Sequence, residues 1–402
     1  MVTEGAKGLG GSTAKAALRP HILLVEGVGS CQGGAEMMLD EILHRADRTR
    51  FQISFACLSE GSWPEALRAE GIPVHVVPQT RWRDVGNVWS VSSRLKDIIR
   101  TEGVDCVHAS GNSTLLCASL AARRANVPLV WMIFDLLRGL SPHRLLTAQR
   151  KVSAWLLERF DPDWVIFGTA RVAEGGPIRR GTPTTTILPG IEVDRYRDGD
   201  GDRARRELGI PPDVPMVVTL GRLTFLKSQL GFLRIMKRVI GTHPDARGVI
   251  CGGGSDVAYT SKVRALRSEL GLDEAVTITG FVPDQLKDDI VAGADLIVHL
   301  AKRESFGLVV VEGMAAGKVV IAADASGPRS LIDDGRTGVL VPVDDEDATV
   351  AAIERLLDDP SARASMAVAA VEAAGEHPIE KMVLEVEGVW DSVLEMKTPT
   401  RN

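Results

Sequence analysis

Short apolar runs of strand length alternate along the whole chain with stretches that have helical apolar spacing. In the first half HILLVE (21–26), FQISFACL (51–58), PVHVVP, VDCVHAS, PLVWMIF and DWVIFGT follow one another at helix-length intervals. In the second half MVVTLGR (216–222), GVICGGG (248–254), AVTITG, ADLIVHL, KVVIAAD and TGVLVP repeat the arrangement. These runs are apolar on both faces, so both faces of each strand must be buried. That demands a parallel sheet covered by helices, the α/β doubly wound class.

At 402 residues the chain exceeds what one core comfortably holds, and two domains are expected. The alternation breaks once, after TTTILPG, at IEVDRYRDGDGDRARRELGIPPDVP. The expected division is a tail at 1–19, a Rossmann-like domain at 20–190, a linker at 191–213, a second Rossmann-like domain at 214–375 and a C-terminal segment at 376–402. Ligands of open α/β sheets sit beyond the carboxyl ends of the strands, so a cleft between the domains is the expected site. DGDGD (198–202) invites a metal reading. An EF-hand loop starting there needs Gly sixth and an acid twelfth, and those places hold Arg203 and Gly209, so a solvated linker is expected.

Composition excludes several classes. No apolar run reaches the length of a membrane span, and the first 19 residues lack a signal-peptide core, so they are read as a disordered tail. The cysteines at 31, 57, 106, 117 and 251 are odd in number and form no CxxC pair, which fits reduced thiols in a cytoplasmic protein. Cys31 stands out because it lies in a glycine-rich loop. The net charge of −6 divides into a mildly basic first half and an acidic second half. The asymmetry is too small for a nucleic-acid binder. It suits either an anionic acceptor or peripheral contact with the inner membrane face near the first half, or an ordinary solvated face.

Three stretches carry chemistry. VEGVGSCQGGAE (25–36) follows a strand and opens a helix, so its amides can approach an anion, but its glycines do not keep the GxGxxG spacing of a dinucleotide site. Either a phosphate cradle of another kind or a tight turn is open. TLGRLTFLKSQ (219–229) places Arg222 and Lys227 in a loop after a strand, where two cations suit a pyrophosphate or are plain surface charges. KRESFGLVVVEGMAAGK (302–318) follows the buried strand ADLIVHL and sets Glu304 and Glu312 eight residues apart. Carboxylates accept hydrogen bonds from hydroxyls, so a polyhydroxylated ligand is expected there. A helix beginning near Ser305 leaves the first-turn amides of Phe306, Gly307 and Leu308 free for phosphate or sugar oxygens, with Glu312 about two turns along.

Taken in order, GRL with its downstream Lys, GVICGGG, TITGFVP and ESFGLVVVEGMAAGKVVIAADASGPRSLIDDGRTGVLVP resemble the family-4 retaining glycosyltransferases of the GT-B fold. That family commonly shows GRL…K, GxG, GxV, ExFGxxxxEAMAxGxPV and GxxGxLV. The resemblance is strong over about 215–345 and reaches the first half through QGGAE and VDCVHAS. It implies that 20–190 faces the acceptor, that 214–375 binds a nucleotide-sugar, and that a C-terminal helix within IEKMVLEVEGVWDSVLEM crosses back to the first domain. By the same resemblance Arg222 and Lys227 hold the donor diphosphate, Glu312 binds the ribose hydroxyls and Glu304 contacts the transferred sugar. The amides from Ser305 to Leu308 meet the sugar or phosphate, Phe281 and Val282 lie near the base, and Gly33 and Gly34 near the phosphate. No metal or other cofactor is implied, since cations and helix dipoles take that place.

The acceptor half departs from the family. His108-Ala-Ser110 stands where many relatives have HxH, and Ile133-Phe134-Asp135 where many have THD. Asp135 is the expected acceptor contact and base, and His108 is either a polar contact or a buried strand-end histidine. Lys318 replaces a common Pro, and Ser228 replaces the Gly after the first Lys. The expected activity is retaining transfer from a UDP-sugar to a hydroxyl of a small molecule or glycan, with natural-product tailoring and cell-surface polysaccharide assembly both compatible. Three rivals stand beside it. One is an NAD-dependent oxidoreductase using 25–34, for which Glu60 is the nearest ribose-binding acid. Another is a non-catalytic nucleotide-sugar binder, and the third a relative that hydrolyses or epimerises the donor.

Overall fold

A computed structural model describes residues 19–31, 33–79, 85–134, 161–174, 179, 181–254 and 256–397. Thus 1–18 of the expected tail and Asp135 lie outside the described residues. Among those described, no helix is long and apolar enough to cross a membrane.

The apolar runs form two parallel sheets. The first contains β1 (His21–Glu26), β2 (Gln52–Cys57), β3 (Val74–Val76), β4 (Cys106–Ser110), β5 (Leu129–Ile133), β6 (Trp164–Phe167) and β7 (Thr184–Thr186), in the order β3-β2-β1-β4-β5-β6-β7. The second contains β8 (Met216–Leu220), β9 (Arg247–Cys251), β10 (Val276–Gly280), β11 (Leu296–His299), β12 (Val319–Ala323) and β13 (Val339–Val341), ordered β10-β9-β8-β11-β12-β13. Every residue of β1, β4, β5, β8, β11 and β12 is buried, as their unbroken apolar character requires. The strand order reverses between β1 and β4 in one sheet and between β8 and β11 in the other. These two switch points open crevices at the carboxyl ends of the strands.

Residues 191–213 are not a solvated linker. Val193–Arg197 and Gly201–Leu208 are helices, and Tyr196, Ala204 and Ile210 enter the core of the second domain. Asp200 of DGDGD caps the second helix by accepting from the Arg203 amide at 2.9 Å, while the aspartates at 198 and 202 flank it. Asp289, fully buried on a neighbouring helix, accepts from the Asp200 amide at 2.8 Å and from Arg203 Nε at 2.6 Å. The charges of this stretch therefore serve helix capping and packing.

The helix Ile379–Lys397 does cross back. Ile379, Met382, Val383, Val386, Val389, Trp390 and Val393 recur at helical spacing and are buried against Ile22, Leu24, Phe51 and Met132 of the first domain. At about 1.5–3 kcal/mol for each such side chain taken out of water, this stripe contributes on the order of 10 kcal/mol before entropic costs. Arg50 adds ion pairs to Glu387 and Asp391, and Arg45 to Glu380 and Glu192. The outgoing and returning chains touch. The Ile191 amide donates to His377 O and the Ile379 amide to Ile191 O, both at 2.9 Å. A Cβ on Gly190 would lie 2.7 Å from Ile379 Cα, so only glycine admits this crossing.

Candidate functional site

The loops after β8 and β11 meet at the second sheet's switch point. After Leu220 the chain makes a short turn at Phe225–Lys227 before the helix Gln229–Thr242. Gln229, buried, donates from Nε2 to Arg222 O at 3.0 Å and fixes the start of that loop. The Lys302 amide donates to Leu226 O at 2.8 Å, tying the two loops together. Lys227 Nζ thereby reaches Glu304 Oε2 at 2.5 Å, and His299 Nε2 lies 3.1 Å from the same oxygen. Burial pushes the Glu304 carboxyl up, but the His299 hydrogen bond and the Lys227 ammonium outweigh it and hold the acid well below the usual carboxylate range. Burial keeps His299 neutral, against the pull of Glu304, so its Nε2–H is the donor. Glu304 is thus an ionised acid anchored through one oxygen. Arg222, in the loop after β8, is exposed.

Ser228 stands in the backbone conformation for which the family's usual Gly is suited. It has φ +58°, the left-handed conformation that glycine adopts without strain, and it makes no side-chain cap. Two further turns have the residue that the geometry demands. Gly307, at φ +104°, ends the loop after β11, so the helix begins at Leu308 and not at Ser305. Glu312 is accordingly one turn along, and the free first-turn amides belong to Leu308 and Val309 while Ser305 and Phe306 sit in the loop. In the loop after β9, a Cβ on Gly252 would meet Gly221 O at 2.3 Å, and one on Gly253 would enter the Phe281 ring at 2.3 Å. Phe281 is therefore laid across bare backbone at the cleft edge, 59 % exposed, with Val282 half-buried beside it.

Glu312 is buried and is held by residues that sequence reasoning missed. Its Oε1 accepts from Tyr196 Oη at 2.8 Å and from Lys287 Nζ at 3.3 Å. Burial pushes the Tyr196 hydroxyl well up, and the Glu312 charge adds to it; burial lowers Lys287, but the charges of Glu312, Asp288 and Asp284 together raise it. Arg195 secures the adjoining Asp288 at 2.6 Å. The one signal available was Tyr196 itself, one of only two tyrosines in the chain, set in an otherwise charged stretch.

The first domain faces this site through the glycine-rich loop. A Cβ on Gly34 would lie 2.9 Å from Leu308 Cδ1, so the helix Gly34–Arg45 and the helix Leu308–Ala315 bring their N-termini together across the cleft. Two positive dipole ends then converge on one space. Glu36 reaches back over Gly33, whose Cβ would lie 2.1 Å from its Oε2. Burial and the neighbouring Asp40 and Glu36 push the Cys31 thiol up, so it is not an activated thiolate. Glu60, required by the oxidoreductase reading, is exposed on the loop after β2.

His108 does not reach the cleft. It is fully buried, Trp390 Nε1 donates to its Nδ1 at 3.0 Å, and burial drives it down to about 3, so it is a neutral core histidine. Of its two readings the buried strand-end histidine is the one the packing supports, because residue 108 lies on the face that the returning helix covers. Phe134 fills the end of β5, its ring against Gly168. The first domain's own switch point instead presents Glu26, the last residue of β1, 4 % exposed. Burial lifts it from the usual 4.5 to about 7, with the Gly27 hydrogen bond only partly offsetting this. The folded protein therefore holds this proton more tightly than the unfolded chain, so its stability falls as pH rises from about 4.5 through 7. Glu26→Gln should flatten that slope and exceed the wild type above pH 7 by roughly 3 kcal/mol at most. Urea unfolding at pH 5 and pH 8 reads this, and equal slopes for the two proteins would rule it out.

Comparison with known proteins accords with this geometry. Residues 32–195 match the family described as Glycosyltransferase Family 4, and residues 200–373 match Glycosyl transferases group 1. The chain is 36% identical over 219 residues to a D-inositol 3-phosphate glycosyltransferase of Acidothermus cellulolyticus, covering 53% of this chain and 49% of that one. It is 38% identical over 193 residues to the D-inositol 3-phosphate glycosyltransferase of Mycobacterium sp. (strain KMS), covering 47% and 42%. The chain thus spans about half the length of these relatives. In fold it is similar to Anabaena HepE in complex with UDP and glucose, with TM-score 0.79, 23% identity, and 92% and 99% of the two chains covered. WaaG, a glycosyltransferase involved in lipopolysaccharide biosynthesis, gives TM-score 0.73 at 16% identity, with 92% and 99% covered. The two matched families, one on each sheet, and the two-domain fold that joins them show that this chain belongs to the family-4, group 1 glycosyltransferases of the GT-B fold.

Proposed function

We propose that this protein is a retaining glycosyltransferase that moves a sugar from a nucleotide diphosphate donor, a UDP-sugar, to a hydroxyl of a small-molecule or glycan acceptor. The observation that carries the reading is the Lys227–Glu304–His299 cluster at the switch point of the second sheet, beneath two converging helix N-termini. An ammonium has three donors, so Lys227 can keep Glu304 with one and offer the others to a diphosphate. Arg222 adds a second charge at the same loop. Glu304 spends Oε2 on its anchors and leaves Oε1 for sugar hydroxyls, and Glu312 does the same with Oε1 anchored and Oε2 left for ribose. Phe281 supplies an exposed aromatic surface for the base.

The transfer breaks the bond between the anomeric carbon and the diphosphate oxygen. The acceptor oxygen bonds to that carbon from the same face, and its proton passes to the departing diphosphate oxygen. Lys227, Arg222 and the helix N-termini meet the charge that develops on the leaving group. No carboxylate needs to attack the sugar, unlike the double displacement of retaining glycosidases. A closed cleft keeps water from the donor. The reaction is placed on the cytoplasmic side, where nucleotide-sugars serve as donors.

Calorimetric titration with UDP, GDP and NAD, without added metal, tests this. UDP should bind most tightly. Glu312→Ala should weaken it by about tenfold or more, since a ribose hydrogen bond to a buried carboxylate contributes about 1.5–3 kcal/mol. Preferential NAD binding, or UDP affinity indifferent to residue 312, would defeat the reading.

A further inference from the structure

The carboxylate of Glu312 is held from outside the loops that carry the rest of the donor site. Tyr196 lies on the short helix Val193–Arg197, just past the crossing at Ile191, where the chain enters the second domain. That helix packs against Leu308–Ala315 and Asp284–Gly293. Tyr196 is 4 % exposed, and its ring belongs to the second domain's core. A phenylalanine would fill the same place and need no polar partner. The hydroxyl does need one, because a buried donor left unpaired is costly. Its partner is Glu312, whose Oε1 accepts from Tyr196 Oη at 2.8 Å.

This contact fixes how the carboxylate is turned. The last torsion of a glutamate is broad, so its own rotamer does not set the plane of the two oxygens. Lys287 Nζ, on a flexible stem, reaches Oε1 at 3.3 Å and shares its donors with Tyr196 Oη at 3.2 Å. The phenol is stiffer and nearer. Arg195 Nε donates to Asp288 Oδ2 at 2.6 Å, and its guanidinium and the Lys287 ammonium stand 5.7 and 5.3 Å from the Tyr196 ring centre. Burial and the Glu312 charge keep the Tyr196 hydroxyl protonated, so it remains the donor. Both anchors fall on Oε1. Among the described residues nothing donates to Oε2, and Oε2 is not one of the buried atoms sealed from solvent without a partner.

We propose that Tyr196 is a positioning residue for the nucleotide: its hydroxyl holds Glu312 Oε1 so that Oε2 meets the ribose, and it thereby sets the preference for a nucleotide that carries ribose hydroxyls. The proposal rests on the glycosyltransferase reading, with Glu312 as the ribose acid. Tyr196 itself touches no substrate. It acts through Glu312 alone, so its effect must vanish when either the carboxylate or the ribose hydroxyls are removed.

The test is calorimetric titration with UDP and with 2′,3′-dideoxy-UDP, which lacks both ribose hydroxyls. The wild type, Tyr196→Phe, Glu312→Ala and the double variant are compared. The wild type should favour UDP by about tenfold or more. Tyr196→Phe should weaken UDP by about fivefold, leave the dideoxy compound within about twofold, and add nothing to Glu312→Ala. A merely structural role would weaken both nucleotides alike, and that result overturns the proposal, as does a variant that weakens neither. A wild type that binds UDP and the dideoxy compound equally well overturns it too and leaves the diphosphate site standing. A wild type that does not bind UDP overturns the donor reading instead, and the positioning role falls with it. If Tyr196→Phe folds poorly, fluorine NMR of the wild type labelled with fluorotyrosine replaces it, since the chain has only two tyrosines and Tyr259→Phe assigns the signals. The Tyr196 signal should move with UDP and stay with the dideoxy compound. Equal movement with both, or none with UDP, overturns the proposal.

Discussion

Lys227→Ala lowers kcat/KM for sugar transfer by about 10²–10³, the usual loss when one preorganised donor to a developing negative charge is removed. Two effects add. The diphosphate loses an ammonium held 2.5 Å from Glu304, and Glu304 loses the cation that helps to keep it ionised. UDP affinity should fall with the rate, because the charge is present in both ground and transition states. Lys227→Arg should recover only part of the activity, since a planar fork cannot replace a compact ammonium between a carboxylate and a phosphate. The variant should fold normally, as the loop lies at the cleft and not in a core. Steady-state kinetics with paired calorimetry decide the matter. A variant within about threefold of the wild type in both would leave Lys227 as a structural partner of Glu304 and no more.

Trp390→Ala costs about 3–5 kcal/mol of stability, the range for emptying a large aromatic site in a core. The ring is fully buried, packs edge-on to Phe51 at 5.3 Å, and donates its indole N–H to His108. Its loss opens a cavity and leaves both nitrogens of a buried histidine unsatisfied. Trp390→Phe isolates the second effect and should cost about 1–3 kcal/mol, because a ring remains while the donor is lost. Guanidinium unfolding midpoints measure both. If Trp390→Ala unfolds within about 1 kcal/mol of the wild type, the returning helix is not integral to the first domain.

The donor half was legible because its chemistry sits in contiguous loops. GRLTFLKSQ and KRESFG each follow a strand, and parallel topology then forces both to the same edge. What escaped was long-range or conformational. Tyr196 and Lys287 reach Glu312 from segments 116 and 25 residues away, and no local spacing announces that meeting. The helix start moved from Ser305 to Leu308 because Gly307 takes a left-handed φ; a glycine directly before an apolar run was the available signal. The two readings of His108 stayed open for a simpler reason. It lies in a strand that reads as a continuous apolar run, and sequence cannot say how deep a strand residue lies. His108 sits two residues before the end of β4, beneath the returning helix. The segment 191–213 was misread because its charge density resembles a linker, while its few apolar residues, Tyr196, Ala204 and Ile210, do the packing.

The paired crossing at Ile191 and Ile379 has a consequence for synthesis. The second sheet and all its helices are inserted, as sequence, between the body of the first domain and the helix that completes its core. A nascent chain that has emerged as far as β7 still lacks the stripe from Ile379 to Val393, and Phe51, Met132 and His108 have no cover on that face. The second domain has no such debt and can fold as soon as residue 374 is free of the ribosome. The N-terminal domain should therefore be the last to mature, reversing the order usual for chains made from the N-terminus. During that interval its exposed apolar face is a natural target for chaperones.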